Sequence, residues 1–306
     1  MSSFIDTSTG PIAYDLAGPD PRPGGPPPLV LLSSGAHDRH DWDELRAELA
    51  EMRTIAIDWP AHGESPAGSA PGSAMHLADV AEEAVAQLAP GGAIVAGNSV
   101  GGFAAARMAI RRPDLVRGLA IVDGGGFAGR SPIVRLFCAL MARPAFLRAI
   151  YPAFSGAYMR SRTPADERAR QTGIATTRED PGLRAVAELW RSFASPEHDL
   201  RRDAPSIAAP TLLLWGKRDP VIPVRVGRRA ARLIGGSRLV VLDTGHVPHT
   251  TEPAAVAAEL RTLAASVVER SSRHGHASPA KDSSGQEHAT PDEAAQPTAE
   301  SGAPRG

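Results

Sequence analysis

The chain holds one cysteine in 306 residues, Cys138, so no disulfide can form within it. That thiol sits in the apolar run "IVRLFCALMA", with no histidine close by, and is expected to be buried rather than nucleophilic. Lysine is nearly absent, at two against 31 arginines, yet basic and acidic residues balance at 33 to 34. The net charge of −1 carries no electrostatic footprint of a nucleic-acid or anionic-membrane binder. The arginine excess reads as a coding bias, since a phosphate-binding surface needs clustering that the sequence does not display. No apolar stretch approaches the ~20 residues that span a bilayer, and no basic start leads into an apolar run. A cytoplasmic protein acting on a small molecule is therefore expected, with neither nucleic acid nor membrane as partner.

The last segment, residues 271–306, contains no Ile, Leu, Val, Met, Phe, Trp or Tyr. It has no apolar surface to set against its ordering entropy and is expected to be disordered, its histidines (His274, His276, His288) too sparse for a metal site. Before it, short apolar runs alternate with helical patterns. The strand-like runs are "PLVLLS", "RTIAID", "AIVAG", "GLAIVD", "TLLLWG" and "RLVVLD", preceded by an opening strand pair that a Pro/Gly-rich loop closes. Continuous rather than alternating hydrophobicity marks parallel strands buried on both faces. Helical stretches at 41–52, 75–88 and 103–113 fall between them. The expected fold is α/β: a mostly parallel central sheet covered by helices on both faces.

That rhythm breaks between about Phe127 and Pro205. Three helix starts are expected there, at Ser131-Pro132, Thr163-Pro164 and Asp180-Pro181, each a capping side chain followed by proline. Leu183, Val186, Trp190 and Phe193 recur as one helix face. Five of the seven Phe and two of the three Tyr lie in this segment, enough to dock a thin insertion and to roof an apolar pocket. The expected organisation is a core of residues 1–126 and 206–270, a helical cap of 127–205 and the tail.

The chemistry centres on "AIVAGNSVGGF", residues 93–103. Ser99 falls between a buried strand and a helix, where a sharp turn lifts its hydroxyl clear of the sheet. Gly97 and Gly101 let the backbone pass close to its neighbours, and the helix N-terminus faces the site, with the Val100 N–H placed to donate to an oxyanion. A serine needs a base, and the base an orienting carboxylate. Asp219 in "WGKRDPVIP" and His246 in "GHVPHTTEP" follow later strands, in the order Ser, Asp, His.

In these motifs, over about residues 10–270, the chain resembles the α/β-hydrolase fold superfamily; "IAIDWPAHGES" is similar to the family's turn after the fourth strand. The resemblance implies Ser99 as nucleophile, His246 as base and then acid, Asp219 as orienter, and no cofactor. It also implies a second oxyanion donor after the third strand. There the family usually carries His-Gly and this chain carries Ser34-Gly35, which puts the donor at the Ala36 backbone N–H. Asn98 precedes the nucleophile, as in hydrolases that cleave C–C bonds of ring-fission products. Those commonly have Trp after the catalytic histidine, where this chain has Val247.

Other residues read more blandly. Asp58 is expected to fix a turn, and Asp123, at another strand end, is a second possible acid. The "HDRHD" run at 37–41 has metal-like spacing without a second ligand cluster, and His249 reads as a loop or surface histidine. Trp42, Trp59 and Trp215 read as packing residues. Asn98, Trp190 and Phe193 are the expected substrate contacts. The function expected is a serine-dependent hydrolase of a small, partly apolar ester-like carbonyl compound. A C–C hydrolase, a haloperoxidase-like perhydrolase and a ligand-binding receptor on the same fold are the alternatives.

Overall fold

The computed structural model describes residues 3–70 and 72–275. Its eight strands are β1 (Ser3–Thr7), β2 (Gly10–Ala17), β3 (Leu29–Leu32), β4 (Thr54–Ile57), β5 (Ala93–Asn98), β6 (Val116–Val122), β7 (Thr211–Gly216) and β8 (Arg238–Leu242). They form one sheet in the order β1-β2-β4-β3-β5-β6-β7-β8. β1 and β2 pair antiparallel with each other, and β2 pairs antiparallel with β4; every later pairing is parallel. β3, β4, β5 and β7 are buried along their whole length, as their unbroken apolar runs require. β8 differs. It is an edge strand with one neighbour, and Val241 is 41% exposed in spite of the apolar run.

The helices are α1 (Asp43–Glu48), α2 (Ala74–Leu88), α3 (Val100–Arg111), α4 (Pro132–Met141), α5 (Pro144–Met159), α6 (Pro164–Thr176), α7 (Gly182–Ser192), α8 (Val224–Leu233), α9 (Pro248–Thr251) and α10 (Pro253–Gly275). On one face of the sheet α2, α3 and α8 bury Leu77, Phe103 and Val226 against Val30, Ile57 and Trp215. On the other, α1 and α10 bury Leu45 and Leu260 against Leu31, Ala96 and Leu214. Each fully buried side chain of this size contributes about 1.5–3 kcal/mol, so the two layers together fix where the strand ends lie.

α4 to α7 fill the interval between β6 and β7. α4 packs on α5 and α7, and α5 on α6 and α7. Two of the three expected helix starts carry their caps: the Ser131 hydroxyl accepts from Val134 N–H, and Thr163 forms a capping box with Asp166. The third does not. Pro181 occupies the cap position of α7 without a side-chain bond, and Asp180 pairs with Arg184 instead. α5 was not anticipated, because Pro152 lies inside it. α10 continues through Ser271 to Gly275, so the first five residues assigned to the tail are helical; residues 276–306 lie outside the described residues. Among the described residues no helix is long and apolar enough to cross a membrane.

Candidate active site

The ends of β5, β6, β7 and β8 place four polar residues along one edge of the sheet, where open parallel sheets build sites. Ser99 follows β5 directly and occupies the N-cap of α3 with φ 56° and ψ −112°. A non-glycine residue held there stores on the order of 1–3 kcal/mol of strain. The packing leaves no alternative. A Cβ on Gly97 would lie 2.1 Å from the Gly101 carbonyl oxygen, and one on Gly101 would lie 2.2 Å from that of Leu32. The two glycines let α3 start hard against β5 and β3. The turn is pinned by Ser99 N–H donating to Val122 O (3.0 Å) and by Gly125 N–H donating to Ser99 O (2.9 Å). The Ser99 side chain caps nothing, so its hydroxyl is left to the cavity it borders.

His246 follows β8 and Asp219 follows β7. His246 Nδ1 lies 2.6 Å from Asp219 Oδ2, and both side chains are almost fully buried. Asp219 Oδ1 accepts from the N–H groups of Val221 (2.7 Å) and Ile222 (3.2 Å). Burial alone would raise the Asp219 pKa; the charge and hydrogen bond of His246 and these two N–H donors outweigh it and hold it below the ordinary value. The loop of His246 is held as firmly as its ring. Its N–H donates to Tyr158 O (3.0 Å), and its carbonyl accepts from Asn98 Nδ2 (2.9 Å).

Asn98, expected as a substrate contact, is turned to the backbone instead. It is fully buried, does not border the cavity, and ties the end of β6 (Val122 O, 3.0 Å) to the histidine loop. Trp190 and Phe193 do border the cavity. Asp123, after β6, is fully buried, and both its oxygens face the Gly216 N–H at 3.0 and 3.1 Å. Burial, and then the neighbouring Asp219 carboxylate, push its pKa well above the ordinary value. Asp123, Asp219 and His246 each offer a ligand atom within 4.8 Å of the others. The 2.6 Å contact of His246 with Asp219 is shorter than the ~3 Å between two donors at ~2.1 Å on one ion, and it holds a proton instead.

The cavity encloses about 480 Å³ and is bordered by Ser99, Val100 and His246 from the sheet side and by Tyr151, Phe154 and Trp190 from α5 and α7. Ser34 and Gly35 form another part of its wall; Ala36 does not. Ala36 is fully buried at φ 72°, and its N–H donates to His62 Nε2 (3.1 Å). His62 is fixed as acceptor, because its Nδ1 donates to Pro60 O (2.9 Å) and burial brings its pKa down to about 4. The Ala36 N–H, expected to face an oxyanion, is thus taken up by His62. Gly35, one residue earlier, borders the cavity, and its N–H meets no acceptor among the described residues. The departure from His-Gly is braced by tryptophan: Trp59 Nε1 donates to Ser33 O (2.9 Å) and Trp42 Nε1 to Ser33 Oγ (3.0 Å).

Of the other histidines, His198 also borders the cavity, whereas His37, His40 and His249 do not. His249 is neither in a loop nor at the surface: it is fully buried in α9 and stacked on Trp42 at 3.9 Å. The "HDRHD" side chains go to separate partners. Asp38 caps the turn at His40 N–H (3.0 Å), His40 pairs with Asp43, and His37 meets Asp41 (2.6 Å) and the Tyr158 hydroxyl (2.8 Å). Asp58 fixes its turn as expected, accepting from the N–H groups of Arg39 (2.8 Å) and Glu64 (2.9 Å) and pairing with the Arg39 guanidinium.

The model of the alpha/beta hydrolase family matches residues 29–259. The chain belongs to that family. Among curated relatives, this hydrolase is 28% identical over 256 residues to the pimeloyl-[acyl-carrier protein] methyl ester esterase of Vibrio atlanticus, covering 79% of this chain and 95% of the relative. The enzyme of that name from Neisseria meningitidis serogroup B is 29% identical over 248 residues, covering 76% and 91%. Among solved structures, a hydrolase from Pseudomonas aeruginosa superposes with a TM-score of 0.71 at 25% identity, over 86% of this chain and 97% of the other. The enol-lactonase of Burkholderia xenovorans shares the fold, with a TM-score of 0.71 at 24% identity, over 85% and 99%. The protein is an α/β-fold hydrolase with esterase-like relatives.

Proposed function

We infer that the protein is a serine carboxylic-ester hydrolase of small, partly apolar substrates. The observation that carries this reading is the His246–Asp219 pair, at 2.6 Å, whose histidine borders one cavity with a strained serine that has an otherwise unused hydroxyl. With Nδ1 committed to Asp219, His246 has Nε2 to take the proton of Ser99 as its Oγ attacks the ester carbonyl. The N–H groups of Val100 and Gly35 stabilise the oxyanion, the first aided by the N-terminus of α3. His246 then returns the proton to the leaving alcohol, and water repeats the sequence on the acyl-enzyme. Helices α4 to α7 serve as a cap, and Trp190, Phe193 and Phe154 supply the apolar wall that selects the acyl or alkyl group. The relatives' name, a methyl ester esterase, supports ester cleavage ahead of C–C cleavage or acyl transfer to peroxide.

A fluorophosphonate probe tests the nucleophile. Wild type should be labelled and Ser99→Ala should not; an unlabelled but folded wild type leaves a ligand-binding receptor as the better reading. A panel of p-nitrophenyl esters of rising chain length, run beside a ring-fission dienoate, tests the bond cleaved. Loss of dienoate without ester turnover would overturn the ester assignment.

A further inference from the structure

The arginines, which look unclustered when the chain is read whole, are clustered in one place. Between Asp123 and Asp166 there is no acidic residue, and six arginines occur (Arg130, Arg135, Arg143, Arg148, Arg160 and Arg162). This stretch carries α4 and α5. Arg135, Arg143 and Arg148 are exposed and make no ion pair among the described residues. The same stretch holds most of the large apolar side chains that the protein leaves in solvent: Ile133 is 79% exposed and Leu136 63%, with Val134, Phe137, Phe146 and Ile150 between 36% and 39%. Residues 131–137 are exposed one after another, so the first turns of α4 stand proud of the protein. At 100° per residue, Ile133, Val134, Leu136 and Phe137 cover an arc of about 160°. The arc also reaches the cavity, since Ile133, Val134, Phe137 and Arg130 border it.

We propose that the α4–α5 face docks on an anionic lipid surface and opens the cavity to esters dissolved there. A broad apolar arc on a protruding helix fits a fluid acyl layer, which closes around it, better than a firm protein surface, which would need a matching groove. The unpaired arginines supply the attraction to anionic headgroups and would repel a second copy of the same face. No helix among the described residues is long and apolar enough to cross a membrane, and the proposed contact is made by the outer face of α4 and α5 alone. This departs from the expectation of no membrane partner. The docking itself does not rest on the esterase reading, because it needs no turnover; the delivery of esters to the cavity does.

Co-sedimentation of the full chain with vesicles tests it. The protein should pellet with phosphatidylcholine containing about one-third phosphatidylglycerol, remain in the supernatant with phosphatidylcholine alone, and be released by high salt. Ser99→Ala should pellet as wild type does. Leu136→Glu with Phe146→Glu, neither of which borders the cavity, should weaken binding at least about tenfold while hydrolysis of a dissolved short ester stays within about twofold. Arg135→Glu with Arg143→Glu and Arg148→Glu should weaken it similarly. The proposal fails if wild type ignores anionic vesicles, or if the variants pellet like wild type. It also fails if the face proves to be a contact between copies, seen as a dimer that Leu136→Glu dissolves, or if it captures an acidic protein and no lipid.

Discussion

Two buried aspartate–histidine pairs lie among the described residues, and by distance they are the same. His246 Nδ1 stands 2.6 Å from Asp219, and His37 Nδ1 stands 2.6 Å from Asp41. They differ in what faces the other ring nitrogen. Nε2 of His246 is free for the cavity that Ser99 borders. Nε2 of His37 meets the Tyr158 hydroxyl (2.8 Å), which in turn meets that of Tyr151 (2.8 Å). Burial, followed by the neighbouring Tyr151, holds the Tyr158 pKa well above the ordinary value, so that hydroxyl keeps its proton. The Asp41 contact is an ion pair without a well-directed hydrogen bond, whereas the Asp219 contact has one. A carboxylate and an imidazole in contact therefore do not make a base for catalysis. An exposed second nitrogen and a nucleophile do. The inner pair serves as a clamp: it joins the loop after β3 to the end of α5, and α5 in turn holds His246 through Tyr158 O.

Breaking each pair should separate the two roles. Ser99→Ala or His246→Ala should lower kcat by about 10⁵–10⁶, and the double variant should be no worse than either, because the residues act as a unit. Asp219→Asn should lower kcat by about 10⁴ through the wrong histidine tautomer. Asp41→Asn should leave kcat within about tenfold yet destabilise the fold by about 3–5 kcal/mol, the cost of leaving one buried partner without the other. Steady-state kinetics beside denaturant unfolding measure both; equal kinetic losses at the two aspartates would remove the distinction.

The two pairs were not equally legible. Ser99, Asp219 and His246 each stand just past an apolar run of five or six residues, and their order along the chain matches a known architecture, so sequence alone brought them together. The partner of His37 lies 121 residues away on a helix that Pro152 disguises. No local pattern announces such a contact. The direction of a backbone N–H is likewise invisible in sequence. That His62 receives the Ala36 N–H, which favours Gly35 as the proposed second oxyanion donor, is visible only in the fold. Asn98 reads from sequence as a substrate contact, and its backbone partners emerge only where the sheet brings β6 and the histidine loop beside it.

A pH series sharpens the comparison, because the two sites move in the same direction for opposite reasons. Burial works to lower the His37 pKa, but Asp41 and Asp38 outweigh it and raise it. Its stabilisation is complete below the unfolded value of about 6.5 and is lost as pH rises through the folded value. The stability gap between wild type and His37→Gln should therefore be widest in mild acid and narrow toward alkaline pH. Asp123, also raised, is a liability above the unfolded value of about 3.9, since the unfolded chain releases a proton that the folded chain retains. An amide still accepts the Gly216 N–H. Asp123→Asn should keep kcat within a few-fold and gain stability over wild type progressively above about pH 4. Thermal melts across the range decide; a gap that stays flat would mean Asp123 ionises normally.

The smallest effect expected is at Ala36. Glycine there relieves a positive φ, worth roughly 0.5–1 kcal/mol, and loses one buried methyl, worth about as much in the other direction. Stability should change by less than about 1 kcal/mol. The kinetic outcome is the informative one. If the Ala36 N–H held the oxyanion, loosening its peptide would erode a contact whose removal costs about 10²–10³ in kcat. With that N–H bound to His62 and Gly35 serving instead, Ala36→Gly should turn over like wild type, whereas Gly35→Ala should not. Its added Cβ would stand 2.5 Å from Leu189 Cδ2, and the adjustment moves the donor itself. A kcat loss at Ala36 larger than that at Gly35 would return the donor to the later residue.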